Sequence, residues 1–191
     1  MTTAEEIEGV ALALLERHGA PGVTMRKVAK AVKITPMAIY HHFRNREVLL
    51  QTVVDREFSR FLETMTERPV DGSHQSNLLH SLDAYIHYSF EHPRIFDYVF
   101  SEKRPGARKY PEDFRAGRSP TLTSLAAMVK QAMKDDFLKT DDPWEVAIEL
   151  WAHVHGYVML FRGGRINLSE EEFFVLVHHS IKRLINGLKN H

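Results

Sequence analysis

Basic side chains without acidic neighbours occupy residues 22–46 of this 191-residue chain. They are Arg26, Lys27, Lys30, Lys33, Arg44 and Arg46, with no Asp or Glu among them. A surface of one charge suits a polyanion, because each phosphate that a cation neutralises releases counterions. The alternative is a solvated basic face on an ordinary helical bundle, so the local structure must decide between the two.

Two short helices are predicted within this stretch. Thr24 has the N-cap position of the first helix, and Thr35 has that position in the second. Pro36 follows as the first residue of the second helix, where a missing N–H costs nothing. Apolar residues at helical spacing form the inner face of the first helix: Met25, Val28, Ala29 and Val32.

The second helix is predicted to project its outer face into solvent. Ile39 and Phe43, spaced i, i+4, should face inward, and Ile34 with Ile39 has the spacing of a hydrophobic staple. The other side chains then face outward: Pro36, Met37, Ala38, Tyr40 and His41. Two short helices joined by a tight turn predict a helix-turn-helix, whose second helix enters the major groove of DNA.

The whole chain is predicted to be all-α, with about nine helices. The first should begin with a capping box of Thr3 and Glu6 and end at His18–Gly19, and the fourth should run from Asn45 to about Arg68–Pro69. After a polar break at 70–76, further helices are predicted on either side of Pro93, from Ser119 to about Phe137, from Asp142 to Gly163 and from Ser169 onward. The helix from Asp142 is apolar almost all round, which predicts burial on more than one side. Residues 102–118, rich in Pro, Gly and basic side chains, are predicted to form a mobile loop.

The composition excludes several classes of function. The absence of cysteine excludes disulfides, thiolate catalysis and cysteine-bound zinc. No apolar run approaches 18 residues and the N-terminus MTTAEEIEG is acidic and polar, so we expect no membrane span, no signal peptide and a cytoplasmic location. The motifs GxSxG, GxGxxG and the P-loop are missing, so we expect neither an enzyme nor a cofactor.

The N-terminal motifs resemble those of the TetR-type bacterial transcriptional repressors. The resemblance covers roughly the first 50 to 60 residues and rests on Gly22-x-Thr24, Val28-Ala29, Ile34-Thr35, Ile39-Tyr40-x-His42-Phe43 and Arg46-Glu47-x-Leu49-Leu50. Two positions depart from the family, which usually has Gly where this chain has Lys33 and Lys where it has Arg46. Because a non-Gly residue with positive φ is strained, the turn at Lys33 should differ locally or carry a cost.

The resemblance implies a division of labour along the chain. A helix-turn-helix DNA-binding domain is expected at 1–48, a connecting helix at 45–68, and a ligand-binding and dimerisation domain at 69–191. The expected protein is a homodimer through its eighth and ninth predicted helices, bound to a palindromic operator in double-stranded DNA and released by a small, apolar effector. The competing class is a helical small-molecule carrier or enzyme that does not bind DNA.

The resemblance also assigns DNA-binding residues. Expected at base edges are Arg26, Pro36, Met37 and Ala38. Expected at phosphates are Thr24, Thr35, Tyr40, His41, His42 and Arg46, and Lys27 is also expected to bind DNA.

Aromatic residues farther along the chain are candidates for an effector pocket. The candidate ligand-binding residues are Tyr85, Phe96, Phe100, Trp151 and His155. Trp151-x-x-x-His155-Gly156 resembles a Trp-His-Gly signature in the C-terminal domains of one branch of the family. The alternative is close packing, with aromatic core residues and a hydrogen-bonded core histidine.

Two further features admit a functional reading. His80, Asp83 and His87 have i, i+3, i+7 spacing, but HExxH and an acidic cluster are missing, so we expect no metal. The basic segment 103–118 is expected to be a solvated loop, the alternative being a site for an acidic ligand.

Overall fold

The computed structural model describes residues 2–67, 71–103 and 106–190, and in these the chain is helical. The helices are α1 (Thr3–His18), α2 (Met25–Val32), α3 (Pro36–Tyr40), α4 (Arg46–Thr66), α5 (His74–Glu91), α6 (Pro93–Phe96), α7 (Glu112–Arg115), α8 (Pro120–Lys134), α9 (Pro143–Arg162) and α10 (Glu170–Leu188). A 3₁₀ turn covers Ala20–Gly22 and a π-helical turn covers Asp97–Ser101. No strand occurs in the described ranges, where an isolated bridge joins Leu138 to Lys189. The prediction of an all-α fold is confirmed.

The helices form two compact units. The first comprises residues 1–60 and 90–107, and the second comprises 61–89 and 108–191. The boundaries fall within α4 and α5, so each of these helices contributes residues to both units. The predicted functional domains, 1–48 and 69–191, have different boundaries and stay predictions.

The first unit is organised around one face of α1. Ile7, Ala11 and Leu15 repeat every four residues and are completely buried, and α1 packs against α2 and α6. The capping box of α1 is formed by Thr2 and Glu5. The predicted pair Thr3 and Glu6 was therefore wrong by one residue, because both pairs have the same spacing in sequence. The helix ends as predicted at His18, where Gly19 has a φ of 68°.

Helix α4 follows the helix-turn-helix in the chain and continues into the second unit. Asn45 accepts a hydrogen bond from the Val48 N–H at 2.8 Å, which caps the first turn. Leu49, Leu50 and Val54 are completely buried along the inner face. The helix ends at Thr66, and the predicted stop at Arg68–Pro69 lies outside the described residues.

Helix α9 is packed between α8 and α10 in the second unit. Its buried side chains follow one face, at Val146, Leu150, Val154 and Val158. Another part of its apolar surface, including Met159 and Leu160, is exposed on the single chain.

The prediction of a mobile loop at 102–118 is wrong at Glu112–Arg115, which form α7. Phe114 is buried, and Arg115 pairs with Asp142 at 2.6 Å. Asp113 pairs with Arg118 at 2.6 Å and accepts a hydrogen bond from the Lys109 N–H. These ion pairs give two basic side chains of the segment, Arg115 and Arg118, partners within the chain.

In the second unit of the fold, Ser169 closes a reciprocal capping box with Glu172 at the start of α10. Replacing Ser169 by Ala leaves an N–H of the first turn without its cap, so the free energy of unfolding should fall by about 1 kcal/mol. Urea denaturation at fixed protein concentration measures it, with Asn167→Ala as an exposed control expected to stay within about 0.5 kcal/mol of wild type. Equal losses in the two variants would contradict the capping role.

Candidate nucleic-acid interface

Both helices of the helix-turn-helix begin at the predicted N-caps. The Thr24 hydroxyl oxygen accepts from the Lys27 N–H at 3.2 Å, and that of Thr35 accepts from the Ala38 N–H at 3.1 Å. Each cap uses an oxygen lone pair, so the hydroxyl hydrogen can still be donated outward. Pro36 occupies the first position of α3, as predicted.

The turn between α2 and α3 keeps the left-handed conformation in spite of its lysine. Lys33 has φ 62° and ψ 36°, and the Ile34 N–H donates to the Ala29 carbonyl at 3.0 Å. A lysine in this conformation costs roughly 1 kcal/mol because its Cβ crowds the backbone. The departure at Lys33 therefore leaves the sharp turn intact, at the cost of local strain.

Helix α3 presents one side to the protein and the other to solvent. Ile39 is completely buried and Phe43 is buried just beyond the helix end, which confirms both as inward. Met37 is 70% exposed and Tyr40 49% exposed, large values for apolar and aromatic side chains. Pro36, His41 and His42 are also exposed, and Ala38 is half-buried.

Exposed cations surround α3. Arg26, Lys27, Lys30, Lys33 and Arg44 are all exposed, and none of them forms an ion pair within the described part of the chain. The stretch 22–46 contains no carboxylate to compete for them. This surface therefore presents positive charge beside a projecting helix, the arrangement that duplex DNA requires.

Arg46 differs from the other cations of the stretch because its side chain is directed into the protein. Its Nε donates to the Val23 carbonyl oxygen at 2.7 Å and its Nη2 donates to that of Ala20. Its Nη1 lies 3.6 Å from the Glu47 carboxylate. These contacts could not be predicted from local sequence patterns, because the partners of Arg46 lie 23 and 26 residues away.

Three of the five candidate effector residues meet in the second unit. The Tyr85 hydroxyl lies 2.9 Å from His155 Nδ1, and the Trp151 ring lies 5.6 Å from the His155 ring and edge-on to Tyr85. Burial raises the pKa of Tyr85 well above its usual range and lowers the pKa of His155. At neutral pH the hydrogen bond therefore joins an uncharged phenol to an uncharged imidazole.

Phe96 and Phe100 belong to the first unit. Their rings lie 4.9 Å apart, and Phe58 lies 5.6 Å from Phe100. Phe114 is not among the candidate effector residues predicted from sequence, because it lies in a segment predicted to be a loop. It packs edge-on against Trp151 at 6.5 Å and so joins the Tyr85–Trp151–His155 cluster.

The three residues of α5 with metal-ligand spacing make other contacts, and the His87 ring lies 4.8 Å from that of Phe174. His80 Nε2 lies 3.0 Å from the Thr64 carbonyl oxygen, and Asp83 pairs with His178 of α10 at 2.9 Å. Across the described ranges, no three His, Cys, Asp or Glu side chains converge as a metal site would need. Among the same residues, no helix is long and apolar enough to cross a membrane.

Two family models match the chain. The model described as "Tetracyclin repressor-like, C-terminal domain" matches residues 78–184, and "Bacterial regulatory proteins, tetR family" matches residues 9–53. Over 65 residues the chain is 42% identical to the HTH-type transcriptional regulator in the dhlA 5′ region of Xanthobacter autotrophicus, covering 34% of this chain and 32% of that protein. The chain spans less than half the length of the curated relatives it matches.

Two solved structures share the fold over almost the whole chain. A protein of unknown function from Rhodococcus sp. RHA1 has a TM-score of 0.79 at 19% identity, covering 100% of this chain and 96% of that one. The flavonoid-responsive regulator FrrA has a TM-score of 0.70 at 19% identity, covering 99% of this chain and 98% of its own.

The environment of His155 predicts a pH dependence of stability. Because burial lowers its pKa from the ordinary value of 6.5, the unfolded chain binds more protons below pH 6.5 than the folded one. The free energy of unfolding should thus be unaffected above that pH and should fall as the pH drops toward the lowered pKa. Urea denaturation from pH 7.5 to 5.5 should show a shallower decline for His155→Asn than for wild type.

His41→Asn is the matched control for this pH dependence, because His41 is exposed. It should decline as wild type does. If His155→Asn kept the full wild-type decline, the description of His155 as a half-buried, neutral imidazole would be wrong.

Proposed function

Because the chain belongs to the TetR family of bacterial regulatory proteins, we propose that it is a homodimeric repressor that a small, largely apolar ligand releases from a palindromic operator. Membership of the family makes it a transcriptional regulator with a helix-turn-helix DNA-binding domain. The dimer, the operator symmetry, the ligand response and action in the cytoplasm are the proposed part.

The observation that carries the proposal is the outward face of α3. A helix of five residues exposes Met37 and Tyr40 while its inner side is anchored by Ile39. Large exposed side chains on so short an element need a partner to account for them. The surrounding cations identify that partner as duplex DNA.

Contacts to bases and contacts to phosphates separate by chemistry. Met37 and Ala38 have no hydrogen-bonding group, so they suit thymine methyls, and Arg26 at the start of α2 suits guanine. Pro36 completes the base-facing set. The residues proposed to face phosphates have hydroxyl or imidazole groups that can donate a hydrogen bond: Thr24, Thr35, Tyr40, His41 and His42. Lys27 is also proposed to bind DNA.

A dimer accounts for the exposed apolar surface of α9 and α10. Met159 and Leu160 on α9 and Val175 on α10 are exposed on the single chain, and Leu168 is exposed just before α10. Helices that are apolar on a second face bury it against another helix, and a two-fold copy supplies the same pair. Two-fold symmetry would place the operator half-sites about 34–36 Å apart or at a multiple of that distance.

The effector is proposed to bind at the Tyr85–Trp151–His155 cluster. Both Tyr85 and His155 are neutral at pH 7, so the cluster offers a ligand aromatic surface and two uncharged hydrogen-bonding groups. FrrA, which shares the fold, is described as flavonoid-responsive, which supports control by a small molecule. A ligand that favoured one arrangement of α4 would change operator affinity through linkage between the two sites.

Duplexes that the wild-type protein selects from a random-sequence pool provide the test of DNA binding. Met37→Ala should lower discrimination at one base pair of each half-site by about fourfold, the value of roughly one buried methyl group.

Tyr40→Phe should weaken binding by about 1 kcal/mol on matched and mutated duplexes alike, because a phosphate hydrogen bond carries no sequence information. Fluorescence anisotropy measures both.

Failure of the wild-type protein to enrich any sequence would refute a specific repressor and favour the carrier or enzyme. A Tyr40→Phe loss confined to one base pair, or an unchanged preference in Met37→Ala, would reverse the assigned roles.

The proposed dimer is tested by introducing a charged side chain into its α9–α10 interface. Leu160→Lys should convert the dimer to a monomer in analytical ultracentrifugation, because an unpaired buried ammonium costs several kcal/mol. Val48→Lys is the matched control: Val48 is 42% exposed against 49% for Leu160, but lies at the start of α4. The control should remain a dimer, and a dimeric Leu160→Lys variant would rule out this interface.

A further inference from the structure

Arg46 lies at the point where α4 meets the connection between α1 and α2. Its Nε and Nη2 together form one edge of the guanidinium, and this edge donates to the carbonyls of Val23 and Ala20. Val23 is completely buried and Ala20 nearly so. The Ala20 carbonyl also accepts from the Val23 N–H at 3.1 Å, whereas Arg46 supplies the donor for the Val23 carbonyl. A buried carbonyl that loses its donor is costly, so the arginine is an integral part of this connection.

The same contacts occupy one of the two edges through which the Arg46 guanidinium could bind a phosphate. A guanidinium binds a phosphate best through two parallel N–H groups. Here the Nε–Nη2 pair is turned to the backbone, and Nη1 lies beside the Glu47 carboxylate. Arg26 and Lys27, in contrast, are exposed and form no ion pair with any residue that the structure describes.

We propose that Arg46 is a positioning residue, which fixes the first turn of α4 to the start of α2 and acts on DNA through that placement instead of binding a phosphate. Val23 directly precedes Thr24, the cap of α2, so holding the Val23 carbonyl fixes where α2 begins. Ala20 begins the 3₁₀ turn in which α1 gives way to α2. The two hydrogen bonds therefore hold both ends of that connection against α4.

This proposal rests on the proposed function and adds a route for its control. Helix α4 begins at Arg46, in the first unit, and its residues 61–66 belong to the second unit. A displacement of α4 would then be transmitted through two charge-assisted hydrogen bonds to the start of α2. A single phosphate contact at Arg46 would give no such connection.

The salt dependence of DNA binding separates the two roles. We would measure affinity for the duplex selected by wild type in Arg46→Gln, Arg46→Lys and the control Lys27→Gln, at 10 °C and several salt concentrations. All three variants must first show wild-type helical content by circular dichroism at that temperature. Log affinity falls as log salt rises, and each lost phosphate contact should make this slope less steep by about 0.9.

If Arg46 positions α2, Arg46→Gln should lose about tenfold in affinity with an unchanged slope, and Arg46→Lys should not restore it, because one ammonium cannot reproduce the two-pronged edge. Lys27→Gln should lower the slope. Two results would overturn the proposal. In one, the slope falls by about 0.9 in Arg46→Gln and recovers in Arg46→Lys, the behaviour of a phosphate ligand. In the other, folded Arg46→Gln keeps wild-type affinity, so that the arginine serves stability alone.

A measurement without DNA keeps the proposal independent of the proposed function. Arg46→Gln should accelerate hydrogen exchange of the Lys27 N–H, which bonds to the Thr24 hydroxyl, relative to the Glu172 N–H at the distant start of α10. Unchanged exchange at Lys27 would overturn the proposal. Should wild type select no duplex, the proposed function fails, and this measurement alone decides whether Arg46 positions α2.

Discussion

The burial of Ile39 and Phe43 is the contact on which the proposed DNA surface depends. A helix of five residues is far too short to be stable alone, so α3 exists because these two side chains anchor it and Thr35 caps it. Once they are fixed on the inner side, helical geometry requires Met37 and Tyr40 to project outward. The strained turn at Lys33 joins α2 to α3, and the hydrogen bonds of Arg46 join the start of α4 to the residues that precede α2.

Local features of the sequence predicted local structure well. Thr24, Thr35 and Pro36 identified two helix starts, since a cap depends only on residues within one turn, and the spacing of Ile39 and Phe43 identified the inner face. The same locality caused the error at α1, where Thr2–Glu5 and Thr3–Glu6 have identical spacing and only the folded chain selects the first. Contacts between residues far apart in the chain could not be predicted from sequence. Phe114 packs against Trp151, and Arg46 donates to carbonyls more than 20 residues away.

Candidate effector residues show the same limit. Tyr85, Trp151 and His155 converge in one unit, and the i, i+4 spacing of the last two lies within a single helix. Phe96 and Phe100 share the aromatic character of these residues, yet they pack with Phe58 in the other unit. Aromatic side chains at helical spacing identify a core without saying which core. The uncharged state of Tyr85 and His155 follows from burial, which sequence does not reveal.

The central claim is that the outward face of α3 lies in a major groove, once in each half of a symmetric site. Methylation protection on the duplex that the protein selects tests this most directly, because dimethyl sulfate modifies guanine N7 in the major groove and adenine N3 in the minor groove. We predict protection of guanine N7 in two symmetric clusters centred about one helical turn, or a multiple, apart. Protection confined to adenine N3, or a single cluster without a symmetric partner, would contradict the account.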